Sequence, residues 1–327
     1  MRSENTTCGR LMRGLQHEKI RILLDTDANN EVDDQHAIAY MLLNGDAFLV
    51  EGLTVNRTNN GGDIEAQALE AERVVRLCSL YPALPVTRGA SGSFKQIASN
   101  IGDSAFDGSD AVDLIIRRAK IFSGKKLVLL AIGKLTNIAL ALKKEPAITD
   151  HVKLVWLGSN YPKPGEYNLE NDEGALNFIL DTQVEFEMAV VRYGAESGTS
   201  AVRVTLEDVM QNLAGKGPRS VSPVIGRHGG EFTTFGDYSI NLLQNVDLYY
   251  DPPSRALYDM AVAAVVKNPS WAEATVIGAP ILENGVWRDR PTNPRKVVIL
   301  ENFKKQMIVD DFYRTISYYR LTEIVQD

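Results

Sequence analysis

Hydrophobic positions along this chain fall into short blocks that alternate between two periods. Residues 20–24 form an apolar, β-branched run that reads as a buried strand, and residues 36–43 follow with the spacing of a helix entering a core. The pattern predicts further strands over 48–55, 85–87, 126–132, 152–157 and 185–191. Between them it predicts helices over 64–77, 111–122, 136–144 and 173–180. A last helix is expected over 310–324, with Tyr313, Ile316, Tyr318, Tyr319 and Leu321 available to pack, and Trp287 reads as a strand residue. Such alternation predicts a single α/β domain: a mainly parallel, doubly wound (Rossmann-like) sheet with helices on both faces and an active site at the carboxyl ends of its strands. Residues 220–253, rich in Gly, Pro and aromatics, break the rhythm and read as an insertion or a lid over the strand ends.

The polar positions become informative against this frame. Asp25, Asp27, Glu31, Asp33 and Asp34 crowd into the ten residues after the first strand. Like charges this close repel, and carboxylates that repel either protonate or share a cation. One of them, Asp33 or Asp34, also suits a helix cap. Other polar clusters fall where strands should end: Asn56 to Asn60 after the second, Gly133 to Asn137 after the fourth, and Asn160, Glu166 and Asn168 after the fifth. Asp259 precedes an apolar helix. Each alone reads as a turn or a cap; together they point to one crevice.

Composition narrows the classes. The 327 residues are 44% hydrophobic and 24% charged, with formal net charge −7, which disfavours nucleic acid and anionic membrane surfaces. Cys8 and Cys78 alone make no disulfide framework, and no long apolar run suggests a membrane span, so a cytoplasmic location is the default expectation. Residues 1–18, with Arg2, Arg10, Arg13 and His17, lack a signal-peptide core and read as a loosely packed arm before a domain over 19–327.

At these residues the chain resembles the inosine-uridine type nucleoside hydrolases. The family opening Asp-x-Asp-Pro-Gly-x-Asp-Asp is similar to Asp25-Thr26-Asp27 with Asp33-Asp34. Its Thr-Gly-x-Leu-Thr-Asn-Ile-Ala segment is similar to Ile132 through Ala139, its Asn and Glu-Phe-Asn to Asn160 and Glu166-Tyr167-Asn168, and its His-Asp-Pro-x-Ala-Val to Tyr258 through Val262. The resemblance implies hydrolysis of the N-glycosidic bond of a ribonucleoside, by a homodimer or homotetramer. It implies Ca²⁺ held by Asp27, Asp34, Asp259 and the carbonyl of Ile132, with Asp27 taking the proton from a water that the metal acidifies. It further implies that Asp33, Asn59 and Asn168 bind the ribose diol, that Asn160 and Glu166 hold the 5′-hydroxyl, and that Asp25 orients Asp27 from behind. Two departures stand out. Ala28-Asn29-Asn30-Glu31-Val32 replaces the Pro-Gly-x between the acidic pairs, and Tyr258 stands where the family carries a His that protonates the leaving base.

Other residues could supply the acid, and other protein classes share parts of the pattern. His36 reads as packed, His17 and His151 as surface residues, and His228 as the outside candidate for a leaving-group acid. Phe232, Phe235, Tyr238, Tyr249 and Tyr250 are available to stack on a base. A haloacid-dehalogenase-type phosphatase would need Asp-x-Asp-Gly-Thr at the first strand, and an EF-hand would need Gly at Asn30 and Glu at His36. The remaining alternative keeps the fold without the chemistry: a catalytically weak nucleoside- or ribose-binding protein.

Overall fold

A computed structural model describes residues 18–121 and 124–325, so most of the expected N-terminal arm, with Cys8 and His17, lies outside the described residues. The chain runs β1 (Ile20–Thr26), α1 (Asp33–Leu42), β2 (Phe48–Val55), α2 (Ile64–Leu77), β3 (Val86–Arg88), α3 (Phe94–Ile97), α4 (Ser109–Lys120), β4 (Leu127–Ala131), α5 (Thr136–Lys144) and β5 (Val152–Leu157). It continues through α6 (Tyr167–Asn171), α7 (Glu173–Asp181), β6 (Glu185–Ala189), β7 (Arg203–Thr205), α8 (Leu206–Leu213), β8 (Val224–Ile225), β9 (Glu231–Phe232), α9 (Phe235–Gln244) and β10 (Ser254–Ala256). Last come α10 (Tyr258–Lys267), β11 (Glu273–Gly278), β12 (Ile281–Glu283), β13 (Val286–Arg288), β14 (Lys296–Glu301), α11 (Lys305–Ser317) and β15 (Glu323–Ile324).

Among the described residues the main sheet has nine strands in the order β11-β14-β6-β5-β4-β1-β2, with β3 and β15 both pairing with β2. Every pairing is parallel except β11 with β14, which closes one edge. The β3-β2-β1-β4-β5-β6 run is the doubly wound order, and its direction reverses between β1 and β4. There Asp25 lies in register with Thr54 and Ala131, so the three central strands end level with one another. Side-chain alternation divides the core. Ile22, Leu24, Leu130, Val155 and Leu157 join α1, α2, α8, α9, α10 and α11, while Leu23, Leu129, Leu154 and Trp156 join α4, α5 and α7 on the other face.

Several expected boundaries move. Helix α1 starts at Asp33 rather than 36, and β1 runs on to Thr26, so Asp25 sits on β1 and Asp33 and Asp34 on α1, with Asp27 and Glu31 in the short link between them. Residues 220–253 contain the hairpin β8–β9 and a full helix, α9, whose Phe235 and Tyr238 are fully buried. The helix expected over 310–324 spans Lys305–Ser317 instead. Past it the chain reverses, and β15 pairs with Leu49 and Val50, because β3 covers only the far half of β2 and leaves the near half open.

Helices α1 and α10 lie side by side, and their lower ends are tied to α11. Buried Asp311 accepts hydrogen bonds from the Tyr40 hydroxyl (2.5 Å) and Lys267 Nζ (2.6 Å), and from Arg314. Burial pushes the Asp311 carboxyl up, but these three donors outweigh it and hold the group below the usual aspartate range. A carboxyl so held contributes stability above its unfolded pKa of about 4 and loses it as pH falls further. Replacing Asp311→Ala is expected to cost about 3 kcal/mol in urea unfolding at pH 7, since it leaves Lys267 half-buried without its carboxylate. The gap between wild type and variant is expected to narrow between pH 4 and pH 3; a gap that stays constant would contradict this account.

Candidate active site

The site begins where β1 ends. Asp25 is fully buried and accepts from Thr54 Oγ1 (2.6 Å), Asn56 Nδ2 (2.9 Å) and Asn137 Nδ2 (2.7 Å). Burial pushes its carboxyl up to about 6 despite those three donors. With its oxygens committed to β2, the following loop and α5, Asp25 fixes the strand ends against each other. Two residues on, Asp27 accepts from Thr58 Oγ1 at Oδ2 (2.6 Å). A Cβ on Gly133 would lie 2.9 Å from Asp27 Oδ1, so the glycine is what gives that oxygen room.

The second group comes from two helix starts. Asp33 and Asp34 form the first turn of α1, and Asp259 sits in the first turn of α10; neither helix has a side-chain cap. Their free N–H groups and dipoles therefore face the acids, which favours negative charge there. The backbone N–H of Asp259 donates to Asp33 Oδ2 (3.4 Å), and Thr26 Oγ1 donates to Asp34 Oδ1. Carboxylate oxygens of Asp33, Asp34 and Asp259 lie within 4.8 Å of one another, all buried. Asp259 Oδ1 is buried without a hydrogen-bond partner. Buried polar atoms are nearly always satisfied, so an orphaned carboxylate oxygen facing two other carboxylates marks a place for a cation. An all-oxygen donor set suits a hard divalent ion.

Electrostatics agree with the geometry. Burial raises Asp27 to about 7, helped by repulsion from Glu166 and Asp25, and raises Asp33 to about 6. Asp34 and Asp259 are driven well above the ordinary range, first by burial and then by one another's neighbours. Arg227 offsets only a little of this at Asp34, and these acids resist ionising together.

The acids floor a cavity of about 270 Å³ that also takes in Ile132, Glu166, Asn168 and Tyr258. Asn168 Nδ2 donates to the carbonyls of Ile132 (3.0 Å) and Leu157 (3.1 Å). Glu166 accepts three backbone N–H bonds, from Ser159, Asn168 and Leu169, as the cap of α6, so its oxygens are already in use. Tyr258 packs edge-on to Tyr193 (6.2 Å), and burial raises its phenol to about 12. Two expected ligands stand elsewhere. Asn59 is exposed outside the cavity, its backbone N–H on Asn171, because Asn56 and Thr58 fold inward around it. Asn160 lines a neighbouring pocket and donates to the Pro164 carbonyl.

Of the aromatic candidates, Tyr249 and Tyr250 line the cavity; Phe235 and Tyr238 belong to the core. His36 is buried between Val32 O and Ser239 Oγ, with burial lowering its ring to about 4, and His228 pairs with Arg227 away from the cavity. Sequence reading missed Tyr193 and Arg255 in the lining, while Glu31, one of the crowded acids, does line it. Only the offset of Arg255, three residues before Tyr258, offered a signal.

A doubly wound sheet with buried carboxylates gathered at its switch point defines an α/β protein with an acidic cluster that could bind a metal. The chain belongs to the inosine-uridine preferring nucleoside hydrolase family, whose sequence pattern matches residues 22–310. Among curated relatives, the non-specific ribonucleoside hydrolase RihC of Klebsiella pneumoniae is 27% identical over 191 residues, covering 52% of this chain and 60% of that protein. Probable uridine nucleosidase 1 of Oryza sativa subsp. japonica is 24% identical over 229 residues, covering 62% and 66%. The match thus spans about 60% of the RihC relative's length. In fold, the chain is similar to the plant nucleoside hydrolase PpNRh1 (TM-score 0.69, 17% identity, covering 92% of this chain and 99% of that one). It is also similar to the inosine-uridine preferring nucleoside hydrolase of Bacillus anthracis (TM-score 0.66, 17% identity, 91% and 99%).

Relief of repulsion gives this site a distinctive signature. In chelator, Asp259→Asn is expected to melt at or above the wild-type temperature, because one repelling charge is gone. Saturating Ca²⁺ at 100 times its dissociation constant is expected to add about 2.7 kcal/mol to the wild type and almost nothing to the variant. An equal calcium response in both proteins would place the cation elsewhere.

Proposed function

We propose that this protein is a Ca²⁺-dependent ribonucleoside hydrolase that cleaves the N-glycosidic bond to a free base and ribose. The observation that carries this reading is Asp27 beside the buried Asp33, Asp34 and Asp259 at the switch point. Asp27, Asp34, Asp259 and the Ile132 carbonyl are the donors that would hold the ion, with Asp33 left for the sugar. When bound, the cation supplies acidity to water and an anchor for vicinal hydroxyls.

Asp27 is the base: its Oδ2 is held by Thr58 and its Oδ1 has space left by Gly133. As the C1′–N bond breaks, water bonds to C1′ and its proton passes to Asp27. Positive charge grows on the ribosyl ring, and the acidic floor, Glu166 included, stabilises it. Asp33 and the Asn168 side chain are placed to orient the sugar hydroxyls. Since its oxygens already serve as a helix cap, Glu166 acts through field and loop shape rather than by holding the 5′-hydroxyl.

The test is ribose release from inosine, adenosine, guanosine, uridine, cytidine and nicotinamide riboside, with Ca²⁺ and with chelator. Calcium-dependent release is expected, with kcat lowered roughly 10³-fold in Asp27→Asn. Protein that holds one calcium per chain and binds ribosides, yet releases no ribose from any of them, would be a binding protein instead.

A further inference from the structure

The cavity is electrically lopsided. Its lining carries six carboxylates (Asp27, Glu31, Asp33, Asp34, Glu166 and Asp259) and, among the described residues, one cationic side chain, Arg255. Arg255 comes from β10, which pairs with β7 and leads directly to Tyr258. Its guanidinium is 10% exposed, fixed by Nη1 on the Asp247 carbonyl (3.0 Å) and by an ion pair with Glu31. Glu31 is 42% exposed, so water screens its charge far more than that of the guanidinium. Tyr249 flanks Arg255 at 5.3 Å, and Arg203 stacks on Tyr250 at 3.1 Å, which makes this wall both flat and positive.

Heterolysis of an N-riboside separates charge: the sugar becomes positive and the aglycone negative. The cavity lining offers both signs, with Asp27, Asp33, Asp34, Asp259 and Glu166 on one hand and Arg255, beside Tyr249, Tyr250 and Tyr258, on the other. Resting on the hydrolase reading above, we infer that Arg255 stabilises the negative charge on the departing aglycone and selects ribosides whose aglycone leaves as a stable nitrogen anion, the acidic imides of the uracil and xanthine type. The C1′–N electron pair stays on nitrogen, water oxygen bonds to C1′, and Asp27 takes the water proton. The aglycone anion then takes a proton from solvent, and Asp27 returns its own. A guanidinium is permanently charged, so Arg255 supplies field and N–H donors rather than a proton, and Tyr258 supplies at most a hydrogen bond.

The experiment compares calcium-loaded wild type, Arg255→Met and Glu31→Gln on uridine, xanthosine, adenosine and p-nitrophenyl riboside, whose leaving group is stable as an anion unaided. Wild type is expected to prefer uridine and xanthosine to adenosine. Arg255→Met is expected to lose about 100-fold in kcat/KM on uridine and xanthosine, and tenfold or less on p-nitrophenyl riboside. The same variant should bind free xanthine more weakly by calorimetry while its calcium-induced rise in melting temperature persists. Glu31→Gln, in which Nη1 of Arg255 keeps its Asp247 carbonyl, is expected to retain the wild-type ratio of uridine to p-nitrophenyl riboside turnover whatever its absolute rate. Equal losses by Arg255→Met on all ribosides, or the same uridine-selective loss in Glu31→Gln, would reduce Arg255 to an anchor of the acidic loop and overturn the inference. Wild type that cleaves none of the four, p-nitrophenyl riboside included, would overturn the hydrolase reading itself.

Discussion

Repulsion among buried carboxylates is the constraint around which this molecule is arranged. Placing Asp27, Asp33, Asp34 and Asp259 in one crevice opposes folding, since desolvation and mutual repulsion both penalise their ionised forms. The fold opposes that penalty in three ways. It brings the amino ends of α1 and α10 to the cluster. It braces the strand ends through Asp25, whose three side-chain donors come from different segments. It clamps the far ends of the same two helices through Asp311. A rigid frame of this kind keeps the acids from splaying apart, which is what a cation site requires of its protein.

That arrangement also explains a division of labour among residues that look alike in sequence. Asp25 lies near the end of β1 and Asp27 just past it, yet one is saturated by protein donors and the other presents a free oxygen to the cavity. Glu166 and Asn168 are two apart, one spent on capping α6 and the other bridging two carbonyls at the strand ends. The hydrogen-bond donors each group meets, and helix capping, sort these groups into supports and working residues without any change of residue type.

Much of this was legible in the chain. The alternating apolar blocks gave the doubly wound sheet because central parallel strands are buried on both faces and must read as unbroken apolar runs. The acids gave the crevice because so many charges rarely crowd together without cause. Other features depend on long-range pairing and left no local mark. Helix α9 carries Gly236 and a run of polar residues, and is held by Phe235 and Tyr238 entering the core. The end of α11 and the reversal into β15 are decided by the unpaired half of β2, which lies more than 250 residues earlier. Asn59 was misplaced because the turn after β2 points Asn56 and Thr58 inward, a matter of loop path that spacing does not encode. Arg255 was passed over because a lone arginine in a short strand signals nothing until the facing acids are known.

The acids also set a clock on the assembly of the protein. Asp33 and Asp259 are 226 positions apart, and no shorter stretch of the chain brings their oxygens together. During synthesis the acidic loop leaves the ribosome long before α10 exists, and it stays a hydrated, mutually repelling segment until the second half of the sheet has formed. Contacts of such high sequence separation close late, after most of the loop-closure entropy has been lost to the core. Assembly of the acidic cluster is therefore a terminal event of folding, and a truncated or half-folded chain lacks it.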